Sequence, residues 1–170
     1  MTNVDTLQIT TPTDCEIMIT RVFHAPQRLV FEAWTNPKHV PRWMLGPAGW
    51  TMPVCEIDFR PGGAWHFLWR HSDGTEMEMR GLYREVKPPE RVVYTECWGG
   101  DWPETLDTLV LSEESGKTTA TLTLLYPSKE ARDLALKSGM QDGMVATFAR
   151  LDKILPSIEL SEAAKEGKNS

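Results

Sequence analysis

The segment SGMQDGMVATFARLDKIL, residues 138–155, sets the architecture that the rest of the chain must fit. It opens with Ser138 and Gln141, the serine and glutamine of a capping box, in which each side chain binds the other residue's backbone N–H group. The apolar side chains that follow recur every three or four positions, as on one helical face, and they are Met140, Met144, Val145, Phe148, Leu151 and Leu155. We predict a long helix that ends at Pro156; about 16 residues at 1.5 Å each give roughly 24 Å, enough to lie across a whole sheet.

A sheet is predicted upstream of this helix, because residues 50–125 change to an alternating pattern of period two. Turn signals divide that region into six strand-like segments, at 61–63 (PGG), 72–74 (SDG), 87–89 (KPP), 99–101 (GGD) and 113–116 (EESG). Links this short favour an antiparallel meander, since parallel neighbours need long crossovers.

Further elements are predicted on both sides of the meander. A seventh strand is expected over 15–23, where β-branched and apolar residues cluster. Two short helices follow it over 26–36 and 38–44, the first beginning with a proline that suits the first helical turn. Another short helix is predicted over 128–137, with a serine as its cap.

The order of these elements is typical of an α+β fold. It predicts a curved, seven-stranded antiparallel sheet wrapped around a long C-terminal helix, with two short helices between strands 1 and 2. A chain of 170 residues has the size of one domain. We predict a flexible N-terminal arm over 1–13, the domain over 14–156 and a frayed C-terminal tail over 157–170.

Composition and charge exclude several classes of protein. There are 24 acidic residues against 18 basic ones, a net charge of −6 that opposes a phosphate backbone, so no nucleic-acid partner is expected. The apolar runs are far shorter than the ~20 residues that cross a bilayer, so no membrane span is expected. The first residues lack the features of a signal peptide, and three scattered cysteines suggest neither a disulfide framework nor a zinc finger. A cytoplasmic location is therefore expected.

Large apolar side chains are numerous, with seven tryptophans and eight methionines. Trp65, Phe67 and Trp69 alternate along one predicted strand and so face the same side. Such a set is typical either of a pocket wall or of an interdigitated core, and the sequence leaves both open. A pocket between sheet and long helix would be lined by Trp34, Trp65, Phe67, Trp69, Met77, Met79, Tyr94, Trp98, Met140, Met144 and Phe148.

Two charged residues interrupt these apolar faces. Glu96 shares a strand face with Tyr94, and Arg21 shares one with Phe23. A buried charge needs a partner, so the two would satisfy each other or anchor the polar end of a ligand. Alternatively, both lie near strand ends and reach water.

Two tryptophans are candidates for the rim of the cavity. Trp43 belongs to a Trp-Met-Leu-Gly-Pro segment that would form a flap over the mouth, and Trp102 follows a pair of glycines. An exposed rim of this kind would also fit a homodimer.

The sequence contains no catalytic signature. The nucleophile elbow, the zinc-protease motif, the P-loop and the dinucleotide-binding motif are all missing. His66 and His71 lie five positions apart on one predicted strand and therefore face opposite sides, so no metal site is predicted. We expect no cofactor.

Six short motifs, in this order and spacing, resemble a known family: RVFHAP at 21–26, AWTNP at 33–37, DFRPGG at 58–63, PPERVVYT at 88–95, SGMQDGM at 138–144 and RLDKIL at 150–155. Together they resemble the single-domain proteins similar to the C-terminal domain of the activator of heat-shock-protein-90 ATPase, in the START-like (SRPBCC) superfamily. The resemblance implies a helix-grip fold with a hydrophobic cavity between sheet and helix. Members of the superfamily bind lipids, sterols and hormones, and some cyclise or hydrolyse substrates.

Three hypotheses of function follow. The leading one is non-catalytic binding of a small hydrophobic or aromatic molecule in the cavity, with Glu96 and Arg21 as polar anchors. The second is a cyclase or hydrolase in which Glu96 is the general base. The third is a stress-response module that binds a chaperone through an exposed apolar patch around Trp43, Trp50 and Trp102, with no internal cavity.

Overall fold

The structure, a computed structural model, describes residues 7–99 and 102–168. Its strands are β1 (Gln8–Thr10), β2 (Glu16–Phe23), β3 (Trp50–Ile57), β4 (Ala64–His71), β5 (Glu76–Lys87), β6 (Arg91–Glu96), β7 (Thr105–Glu114) and β8 (Lys117–Leu125). Its helices are α1 (Gln27–Thr35), α2 (Val40–Trp43), α3 (Lys129–Leu136) and α4 (Met140–Lys168).

All eight strands form one antiparallel sheet in the order β1-β2-β8-β7-β6-β5-β4-β3. Strands β3 to β8 are the predicted meander, and β2 pairs with β8 after the chain has passed through α1 and α2. The sheet curves around α4, so the predicted α+β, helix-grip architecture is confirmed.

One strand was not predicted. Strand β1 lies in the segment expected to be a flexible arm, and it pairs with the edge of β2, with Ile9 opposite Ile19. Three residues with one apolar side chain are too short for a periodic pattern to be recognised. The strand is stabilised by pairing with its neighbour, which the local sequence does not encode.

The long helix begins and ends differently from the prediction. The hydroxyl of Ser138 donates to the carbonyl oxygen of Ala135 at 2.6 Å, closing α3, so the predicted capping box does not cap α4. Helix α4 also continues through Pro156 to Lys168. Leu155 and Ile158, on either side of the proline, are both buried, whereas Pro156 itself is exposed. Water can therefore reach the helical carbonyl that loses its N–H donor, and the apolar face holds the helix in place.

The core lies between the concave face of the sheet and helices α1, α2 and α4. Alternate residues of each strand point inward, as in β2, where every second residue from Ile17 to Phe23 is buried.

None of the helices within the described ranges is both long enough and apolar enough to cross a bilayer.

Candidate functional site

The aromatic residues of β4 lie on the concave face, where the alternation placed them. Trp65, Phe67 and Trp69 are all buried, and their rings follow one another at centroid distances of 4.9 and 5.8 Å. Trp98, just after β6, stacks on Trp69 with centroids 5.4 Å apart and an interplanar angle of 13°. These four residues form a continuous aromatic row, which we call the inner row.

A second aromatic cluster lies beneath α4 and belongs to the core. Phe148 of α4 contacts Phe23, Trp34 and Trp43 at centroid distances of 5.6, 5.7 and 6.4 Å. Trp43 is completely buried, and its indole N–H donates to the carbonyl oxygen of Ala33 at 3.0 Å. The prediction that Trp43 lies on a rim or in a flap is therefore wrong. The indole ring of Trp43 contacts other aromatic rings of the core, and its N–H group is hydrogen-bonded there.

The remaining members of the predicted wall differ in exposure. Met79 is buried, Tyr94 is partly buried with its ring 5.8 Å from that of Trp65, and Met140 and Met144 are partly buried against the core.

The inner row becomes exposed at one end of the sheet. Met77 lies opposite Trp69 in the β4–β5 ladder and is 41% exposed, and Trp98 is 37% exposed. Trp102 is 45% exposed. Apolar surface is thus accessible where the β4–β5 and β6–β7 connections meet.

Two acidic residues lie on the same concave face, next to the inner row. Glu96 is paired with Thr105 across β6 and β7, and Asp107 follows two positions further along β7. The Thr105 hydroxyl donates to Oδ1 of Asp107 at 2.7 Å and lies 3.5 Å from Oε2 of Glu96. Asp107 has no exposed surface; its carboxyl is hydrogen-bonded to that of Glu96, and no N–H or hydroxyl group of the described residues donates to its Oδ2. We call Glu96 and Asp107 the acid pair.

Burial governs the protonation of the acid pair. It raises the pKa of Asp107 well above the usual 3.8, and the neighbouring carboxyl of Glu96 raises it further. Burial also raises the pKa of Glu96, against opposing hydrogen bonds from Asp107, Trp98 and Thr105. Within the described part of the chain, neither carboxyl has a lysine, arginine or histidine as an ion-pair partner. Two such carboxyls retain a proton to higher pH than free ones do.

Arg21 does not approach the acid pair. Its guanidinium forms an ion pair with Asp152 of α4, donates to the carbonyl oxygen of Val22 at 2.7 Å and lies 4.9 Å from the ring centroid of Phe23. The structure therefore brings only one of the two predicted polar anchors to the inner row. Arg21 fastens α4 to β2 instead.

Asp107, Thr105 and Tyr126 were not singled out from the sequence. Burial raises the pKa of Tyr126, and Glu96 and Asp107 contribute, which places this tyrosine beside the acid pair. A signal for Asp107 was present, because it has the same strand parity as Leu109 and Leu111, two buried leucines. An acid in register with core leucines indicates a buried charge.

Two grooves lie on the opposite, outer face of the sheet. The smaller has a volume of about 280 Å³, and the larger, about 560 Å³, borders it through Thr95 and Glu104. Leu82, Leu106 and Leu125 project into them and are substantially exposed.

Among the described residues, no three histidine, cysteine, aspartate or glutamate side chains are grouped as a metal ion would require.

Comparison with known proteins identifies the family. The sequence model described as "Activator of Hsp90 ATPase homolog 1-like protein" matches residues 24–156. A crystal structure of a Rhodobacter sphaeroides protein is 28% identical, with a TM-score of 0.85 over 89% of this chain and 98% of that one. A Staphylococcus epidermidis protein is 26% identical, with a TM-score of 0.76 over 88% of this chain and 93% of that one.

The same fold occurs in an AHSA1-like protein from Aeromonas hydrophila, which is 17% identical, with a TM-score of 0.66 over 80% of this chain and 92% of that one. No curated protein matches the sequence. The family match spans most of the chain, and the architecture agrees with it. The chain therefore belongs to the family of Activator of Hsp90 ATPase homolog 1-like proteins.

Proposed function

We propose that this protein binds a small hydrophobic or aromatic molecule between the concave face of the sheet and α4, with the acid pair at its polar end. The observation that carries the proposal is the fully buried Asp107, which is hydrogen-bonded to the Glu96 carboxyl beside a row of aromatic rings and whose Oδ2 receives no N–H or hydroxyl donor from the described residues. Burying two carboxyls together without a cation costs free energy. A leucine at this position would avoid that cost, so the carboxyl is better explained by a ligand than by stability.

The exposed end of the inner row supports an entry point there. Trp98 stacks on Trp69, hydrogen-bonds Glu96 and is still 37% exposed, so it covers the acid pair from the solvent side. We propose that a ligand displaces Trp98 and takes its place against Trp69. Trp65, Phe67, Met79 and Tyr94 would then contact the apolar body of the ligand.

The apolar surface available is sufficient for measurable binding. Covering 200–300 Å² of ligand surface at ~25 cal/mol per Å² gives roughly 5–7 kcal/mol before the costs of association. Affinity is therefore expected to be weak to moderate unless the polar end contributes.

The proposal is tested by native mass spectrometry of freshly purified protein, which should detect a co-purified small molecule. Trp69→Ala should lose that molecule, because it removes the ring on which Trp98 stacks. Leu82→Ala is the matched control, since this residue is exposed in the larger outer groove. Loss of the molecule in Leu82→Ala, with retention in Trp69→Ala, would assign the ligand to the outer face and overturn the proposal.

The acid pair also favours a second candidate function, acid–base catalysis of the cyclase or hydrolase kind. Buried carboxyls with raised pKa are suited to act as a general base near neutral pH. Turnover of a substrate that is lost in Glu96→Gln, with the fold intact, would establish this function. A chaperone partner, a homodimer and a cytoplasmic location remain proposals on the strength of the family and the exposed tryptophans.

A further inference from the structure

The acid pair restricts the chemistry of the ligand, if the proposed binding site is correct. The described groups that donate to it are the Thr105 hydroxyl and the Trp98 side chain, and the two carboxyls are hydrogen-bonded to each other through the proton that the pair retains. Once that proton is released, the carboxylate oxygens only accept hydrogen bonds, and no described N–H or hydroxyl group reaches Oδ2 of Asp107. A ligand group that replaces the proton must therefore be a hydrogen-bond donor.

The charges around the acid pair also favour a hydrogen-bond donor, and specifically a cation. The described titratable groups that face it are Tyr94 from β6 and Tyr126 after β8, and Tyr83 from β5 is paired with Tyr94; none of the three supplies a positive charge. From α4, Asp152 is paired with Arg21, and Arg150 donates to the carbonyl oxygen of Gly46. A carboxylate or phosphate ligand would be repelled by the pair, whereas a cation would be attracted to it.

The neighbouring rings suit a cation as well. The indole of Trp98 and the ring of Tyr94 adjoin the pair, and the face of an aromatic ring attracts an ammonium group within about 6 Å of its centroid. Carboxylate oxygens with aromatic faces around them form an environment for an organic ammonium ion.

We propose that the ligand is an organic amine with an aromatic or aliphatic body, and that its ammonium group binds Oδ2 of Asp107 and the carboxyl of Glu96. Binding in this manner is linked to protons. The ammonium ion arrives charged and stabilises the ionised form of the pair, so the proton that the pair holds is released to solvent. The association constant of the amine then increases as the pH rises, by up to tenfold per pH unit for each proton released.

Isothermal titration calorimetry with matched probes tests this inference. The probes are benzylamine, 2-(1-naphthyl)ethylamine and dodecylamine, each beside the alcohol of the same skeleton. We expect at least one amine to bind about tenfold tighter than its alcohol at pH 7. The heat of its binding should differ between phosphate and Tris buffers in proportion to the protons released.

Three variants locate the effect. Asp107→Asn and Glu96→Gln should remove most of the amine's advantage over its alcohol, together with the proton release. Glu104→Gln is the control, because it makes the same change at an exposed residue of the outer grooves and should bind like the parent.

The outcomes separate the inference from the proposed function. Alcohols that bind as tightly as their amines would overturn the amine assignment and leave apolar ligand binding intact. An amine advantage that persists in Asp107→Asn and Glu96→Gln would also overturn it. Failure of both series to bind would count against the apolar site itself.

Discussion

Asp107 should make the stability of this protein depend on pH in an unusual direction. The unfolded chain releases the protons of Asp107 and Glu96 near pH 3.8 and 4.5, whereas burial holds them in the folded state to higher pH. Unfolding therefore releases protons in this interval, and the free energy of unfolding falls as the pH rises, by up to about 1.4 kcal/mol per pH unit for each proton. The contribution of the two protonated carboxyls to the free energy of unfolding is fully present below their unfolded-state pKa values. It is lost as the pH rises through their raised folded-state pKa values.

Asp107→Asn tests this prediction, because the amide stays neutral. Its free energy of unfolding in urea should decline less between pH 4 and 8, and at pH 8 it should exceed that of the parent. Glu104→Gln, which alters an exposed carboxyl, should follow the parent curve. Parallel curves for Asp107→Asn and the parent would contradict a raised pKa at this position.

Gly81 should not tolerate a side chain. It lies opposite Trp65 in the ladder, and a Cβ atom there would meet the carbonyl oxygen of Thr95 at 1.8 Å. Gly81→Ala is expected to lower the free energy of unfolding by about 2 kcal/mol or more. Gly143→Ala is the contrasting change. Gly143 lies within α4, and the atom nearest to an added Cβ would be Cδ of Pro47 at 4.0 Å, so the variant should raise the free energy of unfolding by up to about 1 kcal/mol. Equal effects of the two variants in urea denaturation would refute the argument.

The sequence predicted some site residues and not others, for physical reasons. The alternation of β4 was enough to place Trp65, Phe67 and Trp69 on one face, because strand parity is a local property. The ion pair of Arg21 with Asp152 joins residues 131 positions apart, so no periodicity could reveal it. The burial of Trp43 likewise depends on contacts across the fold, with Trp34 and Phe148.

Helix α4 is held to the sheet by a specific polar contact as well as by its apolar face. The Arg21 side chain is only 9% exposed, so removing its counter-ion would leave a guanidinium largely buried without a charge partner. Asp152→Asn should lower the free energy of unfolding by about 1–2 kcal/mol, a value reduced because Asp152 is itself 40% exposed.

Glu76→Gln gives the reference for that measurement. Its ion pair with Arg70 joins side chains that are 46% and 54% exposed, and such pairs contribute about 0–1 kcal/mol. Losses of equal size in the two variants would show that the Arg21–Asp152 pair is no more than a surface contact.

The elements themselves were largely predictable, and the exceptions share a cause. Strands β2 to β8 and helices α1 to α3 follow from local alternation, turn residues and caps, such as the Ser128 hydroxyl that accepts from the N–H of Ala131 at 3.1 Å. Strand β1 and the continuation of α4 beyond Pro156 depend on tertiary contacts, through the edge of β2 and through buried Ile158. Local propensity does not encode such contacts.

Ligand binding should be visible in the unfolding of the molecule as a whole. A ligand that binds only the folded state at a concentration of 100 Kd adds about 2.7 kcal/mol to the free energy of unfolding. For a chain of 170 residues this corresponds to a rise in Tm of roughly 5–10 °C. Whichever probe amine binds in calorimetry should produce this shift in the parent and in Glu104→Gln, and a much smaller one in Asp107→Asn. A uniform shift in all three proteins would exclude the acid pair from binding.

The stacking of Trp69 on Trp98 has a spectroscopic consequence. Two indole rings that are nearly parallel and 5.4 Å apart couple their electronic transitions, which gives the far-ultraviolet circular dichroism spectrum a paired positive and negative band of aromatic origin. A guest that inserted between the rings, or moved one away, would remove the contribution of this pair, while the backbone signal and the contribution of Trp34 and Trp43, whose centroids are 5.0 Å apart in the core, stayed the same. Circular dichroism of the protein's own tryptophans would therefore report whether a ligand is bound, without an attached dye.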